Sequence, residues 1–144
     1  MTSTTNGPTP AQLNAALLSI RIATGLAFLY HGSAILFGAF GGPGPQKFAA
    51  FIHAPAIVGY LVGLSQLFGA LTTVTGILTR IGALCIIINM LGAIFTVHLP
   101  HGFDIAQRGI EYALTQLLIA LALVLAGAGD YSFTSRLPEQ WRKF

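Results

Sequence analysis

The sequence is short of charged residues and of cysteine, and each shortage excludes a class of protein. Only 8% of its 144 residues are charged and 54% are hydrophobic, whereas in soluble domains about a quarter are charged. A water-soluble globular protein is therefore excluded. The single cysteine, Cys85, rules out a disulfide within the chain. The net charge of +3 is small and forms no basic block, which argues against nucleic acid as a partner.

What the sequence has instead is long apolar runs. Four segments approach the roughly 20 residues that a helix needs to cross a bilayer, and Gly- and Pro-rich stretches separate most of them. The segments are 11–37, 56–78, 81–97 and 109–126. The link between the second and third is so short that the two helices must form an antiparallel hairpin. The sequence therefore predicts an all-α protein, a membrane four-helix antiparallel bundle in contact with the lipid bilayer.

Polar ends flank the apolar region. We predict a disordered N-terminal tail over 1–10, a four-helix transmembrane domain over 11–130 and a cytoplasmic C-terminal tail over 131–144. No Lys or Arg precedes Arg21, so we expect the first segment to be a retained helix and not a cleaved signal peptide. Four Lys and Arg residues lie on the side of the termini and two on the other side, which places both termini in the cytoplasm.

Small and polar residues recur at helical spacing within each segment. Such residues let helices approach closely and hydrogen-bond to each other in lipid, so we expect each helix to turn this stripe towards its neighbours. The four predicted stripes are Asn14, Arg21, Gly25, Phe28 and Gly32; Gly59, Gly63, Gln66, Ala70 and Thr73; Gly82, Cys85, Asn89, Gly92 and Thr96; and Glu111, Thr115 and Ala122.

Arg21 is a charged residue inside an apolar segment, where charge is costly and commonly functional. In one interpretation it forms an intramembrane polar cluster with Gln66 and Asn89, at a similar depth. In the other it snorkels to the inner interface along its apolar stem. A buried Arg21 needs an amide oxygen, a backbone carbonyl, a lipid phosphate or a partner's acid. We expect Arg21→Leu to weaken partner assembly more than the fold.

Two histidines and an acid crowd the stretch TVHLPHGFD at 96–104. With four spans, this stretch shares the outer side of the membrane with other polar helix ends. Polar donors beside aromatic side chains suit a quinone or another small molecule, and we expect Glu111 to hydrogen-bond to a histidine there. The same residues also suit a plain interfacial role at helix ends. The candidate pocket residues are His31, His98, His101, Glu111 and Tyr112.

Other chemistries have less support. Pro100 lies between His98 and His101, so helical spacing of a metal-binding pair is not assured, and no cysteine joins them. No haem-attachment motif is present. The sequence has no nucleophile–base set, phosphate-binding loop or cofactor fingerprint, so no metal site and no catalytic residue is predicted.

Five stretches together carry a recognisable pattern. They are RIATGLAFLYHG at 21–32, FGAFGG at 37–42, GILTR at 76–80, FTVHLPHGF at 95–103 and GIEYAL at 109–114. This set resembles the DoxX family of small bacterial membrane proteins. The resemblance implies a four-helix protein of the bacterial cytoplasmic (inner) membrane, linked to redox and thiol-stress systems. The family typically has GxxELxGG where this chain has GLSQLFGA, so Gln66 replaces a glutamate that could pair with Arg21.

The resemblance also implies a function. We expect a small or accessory subunit of a quinone-linked membrane redox complex, with other subunits or copies of itself as protein partners. The cofactor is left open: a quinone is compatible with the polar residues, and haem or a metal suits them less. The alternative is a non-catalytic scaffold or assembly protein, or a small permease-like protein. Four short helices without an evident inverted repeat leave a transporter little room for alternating access.

Overall fold

The computed structural model describes residues 7–141, and within them the chain is helical, without a strand. Its α-helices are α1 (Pro10–Phe37), α2 (Gly44–Phe51), α3 (Ala56–Thr75), α4 (Thr79–Ala93) and α5 (Glu111–Ala126). Beyond Ala93, α4 continues as a π-helical turn over Ile94–His98 and a 3-10 turn over Leu99–His101. Residues 1–6 of the predicted N-terminal tail and 142–144 of the predicted C-terminal tail lie outside the described residues.

The described residues hold five α-helices where the sequence predicted four. The additional helix, α2, has eight residues and begins within the Gly- and Pro-rich stretch at 38–45, which was predicted only as a break. Pro45 stands in its first turn, where a proline suits the helix because its missing N–H would have no partner there. The Gly- and Pro-rich stretch that follows the end of α1 therefore also contains the start of α2.

Among the described residues, three helices are long and apolar enough to cross a membrane, namely Pro10–Phe37, Ala56–Thr75 and Thr79–His101. The remaining apolar helix, Glu111–Ala126, has 16 residues and is shorter than these. All four predicted apolar segments are thus helical, and the length of three of them supports a membrane protein.

Close glycine contacts define how the long helices pack. A Cβ atom at Gly32 would lie 2.9 Å from the backbone nitrogen of Leu67, and one at Gly63 would lie 2.9 Å from Cβ of Leu36. Higher positions in α1 therefore meet lower positions in α3, so these helices run in opposite directions. In turn, α3 packs on α4, and α4 packs on α5. The core between them includes Phe28, Ile86 and Leu123, each at most 1% exposed.

The predicted inward stripes are confirmed for two helices. All five residues of the α3 stripe are buried, as are four of the five in α1, where Asn14 is half-buried. The prediction is wrong for the other two helices. In α4 only Gly82 of the predicted stripe is buried, and in α5 none is. The buried face of α4 is instead mostly apolar, with Ala83, Ile86 and Met90.

Candidate functional site

Arg21 is buried, with 1% of its surface exposed. Its Nε donates to the carbonyl of Thr73 at 2.8 Å, and Nη2 donates to that of Val74 at 3.1 Å. Its Nη1 donates to the carbonyls of Ala128 and Tyr131, at 2.7 and 3.0 Å. Of the partners predicted for a buried Arg21, the structure has backbone carbonyls.

The carbonyls that Arg21 binds are groups that need a donor. Thr73 and Val74 lie in the last turn of α3, where the final carbonyls of a helix have no partner within it and carry partial negative charge. The guanidinium supplies donors to this helix end and to the loop after α5. No carboxylate within residues 7–141 forms an ion pair with it. Arg21 therefore supports the fold directly, so we expect Arg21→Leu to weaken the fold itself as well as any partner assembly.

The predicted cluster of Arg21, Gln66 and Asn89 does not form. The amide nitrogen Nδ2 of Asn89 donates instead to Oγ of Ser65 and to the carbonyl of Cys85, both at 2.8 Å. Gln66 is 6% exposed, and its Oε1 has no hydrogen-bond partner among residues 7–141. The reason is geometric: Arg21 lies beside the end of α3, about two helical turns from Gln66.

A polar pair that the sequence analysis missed joins α1 to α5. The hydroxyl of Thr24 donates to Oε1 of Gln116, and both side chains are buried. A signal was present, because Gln116 is an amide inside the apolar run of α5, as Asn89 is in α4. Thr24 gives no comparable signal, since threonine is common in membrane helices without a specific partner.

At the other end of the helices, two of the candidate histidines are bound to nearby backbone. Nδ1 of His98 lies 2.6 Å from the carbonyl oxygen of Arg108, and Nδ1 of His101 lies 2.8 Å from that of Val97. His98 thereby ties the end of α4 to the loop that leads into α5. These contacts have the character of helix-end capping, the plain interfacial role that the sequence left open.

Glu111 does not pair with a histidine within the described residues. Its carboxylate accepts the backbone N–H of Ile105 at 3.0 Å. The expected Glu111–histidine bond is wrong because residues 102–110 fold back onto the start of α5, where the N–H of Glu111 donates to the carbonyl of Phe103 at 2.9 Å. That fold brings an unpaired N–H next to the carboxylate, and a charge-assisted bond to it satisfies both groups.

His31 and Tyr112 are the candidate residues that meet across helices. Their ring centroids are 5.8 Å apart, at an interplanar angle of 55°. The hydroxyl of Tyr112 is buried and has no hydrogen-bond partner in the part of the chain that the structure describes. Gln66 of α3 packs against the neighbouring residue of α1, since a Cβ atom on Gly32 would be 3.1 Å from the Cβ atom of Gln66. The unpaired O–H donor of Tyr112 therefore lies beside His31, and the residue with the unpaired acceptor, Gln66, lies beside the adjacent Gly32.

Within residues 7–141, no group of three or more His, Cys, Asp or Glu residues is placed to hold a metal ion. The polar groups that this end of the helices offers to a ligand are the imidazole of His31, the phenol of Tyr112 and the amide of Gln66. Buried polar groups cost free energy when they stay unpaired. The phenol and the amide are therefore the atoms to which a polar ligand would add most.

Comparisons with known proteins give one family and two relatives. The model of the DoxX family matches residues 16–99. A Bacillus subtilis (strain 168) protein named "Putative oxidoreductase CatD" is 30% identical over 111 residues, which cover 77% of this chain and 78% of that protein. An uncharacterised Haemophilus influenzae protein is 27% identical over 96 residues, which cover 62% of this chain and 64% of that protein. No solved structure matches.

Proposed function

The chain belongs to the DoxX family of membrane proteins, and from this membership we propose that it is a small accessory subunit of a quinone-linked redox complex. The similarity to a relative whose name contains the word oxidoreductase supports a redox association. The complex lies in the bacterial cytoplasmic membrane, and its protein partners are other subunits or further copies of this chain.

The proposed architecture is a four-helix antiparallel transmembrane domain over residues 11–130, made of α1, α3, α4 and α5, with both termini cytoplasmic. Its support is that Asn14 and Asp130 bond to each other through side chain and backbone, at 2.8 and 3.0 Å, so both ends of the domain lie on one side. The excess of Lys and Arg on that side favours the cytoplasm. Reporter fusions after Pro45 and Asp104 should read outside, and those after Arg80 and Phe144 inside. Reversal of a single loop would contradict the four crossings.

The unpaired hydroxyl of Tyr112 beside His31 is the observation that carries the site proposal. A phenolic O–H donates to a quinone carbonyl, and the Oε1 of Gln66 accepts from the hydroxyl of the reduced quinol. In this proposal His31 exchanges a proton with the ligand. His98, His101 and Glu111 hold the loop at the rim of this site and do not touch the ligand.

A binding measurement on the purified chain in nanodiscs tests the site. Tyr112→Phe removes the donor and keeps the ring, so we expect binding of a short-chain quinone about 10-fold weaker, from the loss of one hydrogen bond worth about 1.5 kcal/mol. Tyr60→Phe is the matched control, because Tyr60 is a 40% exposed tyrosine on α3. Equal affinity of wild type and Tyr112→Phe would reject the site.

The alternative function is a non-catalytic scaffold or assembly protein. What favours it is that His98, His101 and Glu111 are each engaged by nearby backbone. Purification in a mild detergent separates the two functions. Co-eluting subunits with a visible absorption spectrum favour the redox subunit, whereas co-eluting subunits without one favour the scaffold.

A further inference from the structure

Two cavities lie at the end of the molecule opposite His31 and Tyr112. The larger, of about 340 Å³, opens between α1, the end of α3 and the loop after α5. The smaller, of about 210 Å³, lies against the same loop, and the two share Asp130, Ser132 and Ser135 in their walls. Ligand sites commonly begin at about 300 Å³, so the larger cavity has room for a charged headgroup.

Positive charge outweighs negative charge around these cavities. Arg21 and Arg136 line the larger one, and Arg80 lines the smaller one. The acid in their walls is Asp130, whose carboxylate already accepts from the amide of Asn14 at 2.8 Å. None of the three guanidinium groups forms an ion pair with a carboxylate in the part of the chain that the structure describes. A cleft with such a surplus of one charge attracts the opposite charge.

The arginines also hold most of the spare hydrogen-bond donors. The hydroxyls of Ser132 and Ser135 already donate to backbone carbonyls, at 2.7 and 2.6 Å. Arg80 is exposed and donates to one carbonyl, that of Leu125, at 3.3 Å. Arg136 is exposed, and its guanidinium lies 5.9 Å from the centre of the Phe133 ring. A guanidinium has five N–H groups, so Arg80 and Arg136 keep donors for a ligand, and the buried Arg21 adds its charge.

Apolar side chains share the larger cavity with these charges. Leu18 of α1, Val74 of α3 and Phe133 contribute to its wall. We propose that this end of the molecule binds a phosphate group, contacted by Arg136 and Arg80, and that an anionic phospholipid supplies it. The fork of a guanidinium matches the oxygens of a phosphate. The apolar wall favours a lipid over free phosphate, because it offers acyl chains a surface beside the charge.

Lipid retention by the purified full chain tests this site. Native mass spectrometry would count bound lipids after titration with phosphatidylglycerol or with zwitterionic phosphatidylcholine. We expect wild type to retain phosphatidylglycerol about 10-fold more tightly, and Arg136→Gln and Arg80→Gln each to lose most of this preference. Lys47→Gln is the control, because it removes the same charge from an exposed position at the opposite end. It should leave the preference unchanged.

Further measurements distinguish a lipid from free phosphate as the ligand. They also distinguish a loss of binding from a loss of the fold. Arg136→Lys keeps the charge and should keep part of the preference, with the same unfolding temperature as Arg136→Gln. Inorganic phosphate that binds wild type in an Arg136-dependent manner, without any preference between the two lipids, would support the phosphate site and assign it to the free ion. Equal retention of both lipids without phosphate binding, or the same loss in Lys47→Gln, would overturn the proposal.

Discussion

The membrane arginine acts as a hydrogen-bond donor to backbone. Arg21 donates four hydrogen bonds to carbonyls of α3 and of the loop after α5. The sequence predicted the cost of this charge, and hence that a buried Arg21 needs a partner. It could not predict which partner, because the acceptors lie 52 to 110 residues further along the chain. Every residue also has a backbone carbonyl, so no residue type in the sequence marks these acceptors.

Arg21→Leu should destabilise the folded chain by about 1–3 kcal/mol for each carbonyl that stays buried without a donor. Arg21→Lys should cost less, since an ammonium keeps the charge and replaces some of the bonds but not the planar fork. Unfolding in mixed micelles by a denaturing detergent would measure both changes. A Leu variant as stable as wild type would show that the guanidinium bonds contribute nothing net.

At the scale of helices, glycine contacts set the distances, and they offer a matched pair of variants. A Cβ at Gly59 would overlap the carbonyl oxygen of Pro45, whereas one at Gly92 would meet nothing within 4 Å. Gly59→Ala should therefore separate α2 from α3 and lower the unfolding temperature. Gly92→Ala should raise it, because alanine is favoured over glycine by about 1 kcal/mol within a helix. Equal effects of the two variants would mean that the α2–α3 contact is not close in solution.

The buried faces of the helices also show where the hydrophobic pattern of the sequence no longer identifies the buried side. In α3 the buried stripe consists of small and polar residues, and in α1 it includes Arg21, Thr24 and Gly25, so both stand out from the apolar residues around them. In α5 the buried face includes Ala113, Ala120 and Leu123. A face of that kind resembles the lipid-exposed side, which is also apolar, and hydrophobicity no longer distinguishes inside from outside. The short α2 escaped prediction because it begins inside a Gly- and Pro-rich stretch and its eight residues are too few to span a membrane.

At the scale of the whole molecule, the helices differ in length. At about 1.5 Å per residue, the 28 residues of α1 span about 42 Å and the 16 residues of α5 about 24 Å. The hydrocarbon core of a bilayer is about 30 Å thick, and a short helix that crosses it requires local thinning. We expect a higher unfolding temperature in bilayers of short-chain lipids than in thick ones. An unfolding temperature that rises with thickness would argue that α5 does not cross by itself.

The bonds of Arg21 also bear on how the chain is made. Two of its acceptors, Thr73 and Val74, are synthesised with α3, but the other two, Ala128 and Tyr131, come from the last part of the chain. A nascent chain with three helices inserted therefore holds a guanidinium with half of its acceptors. Arg21 completes its bonds only when translation reaches the final loop, so a chain released from the ribosome before residue 128 lacks two of the four acceptors of its guanidinium.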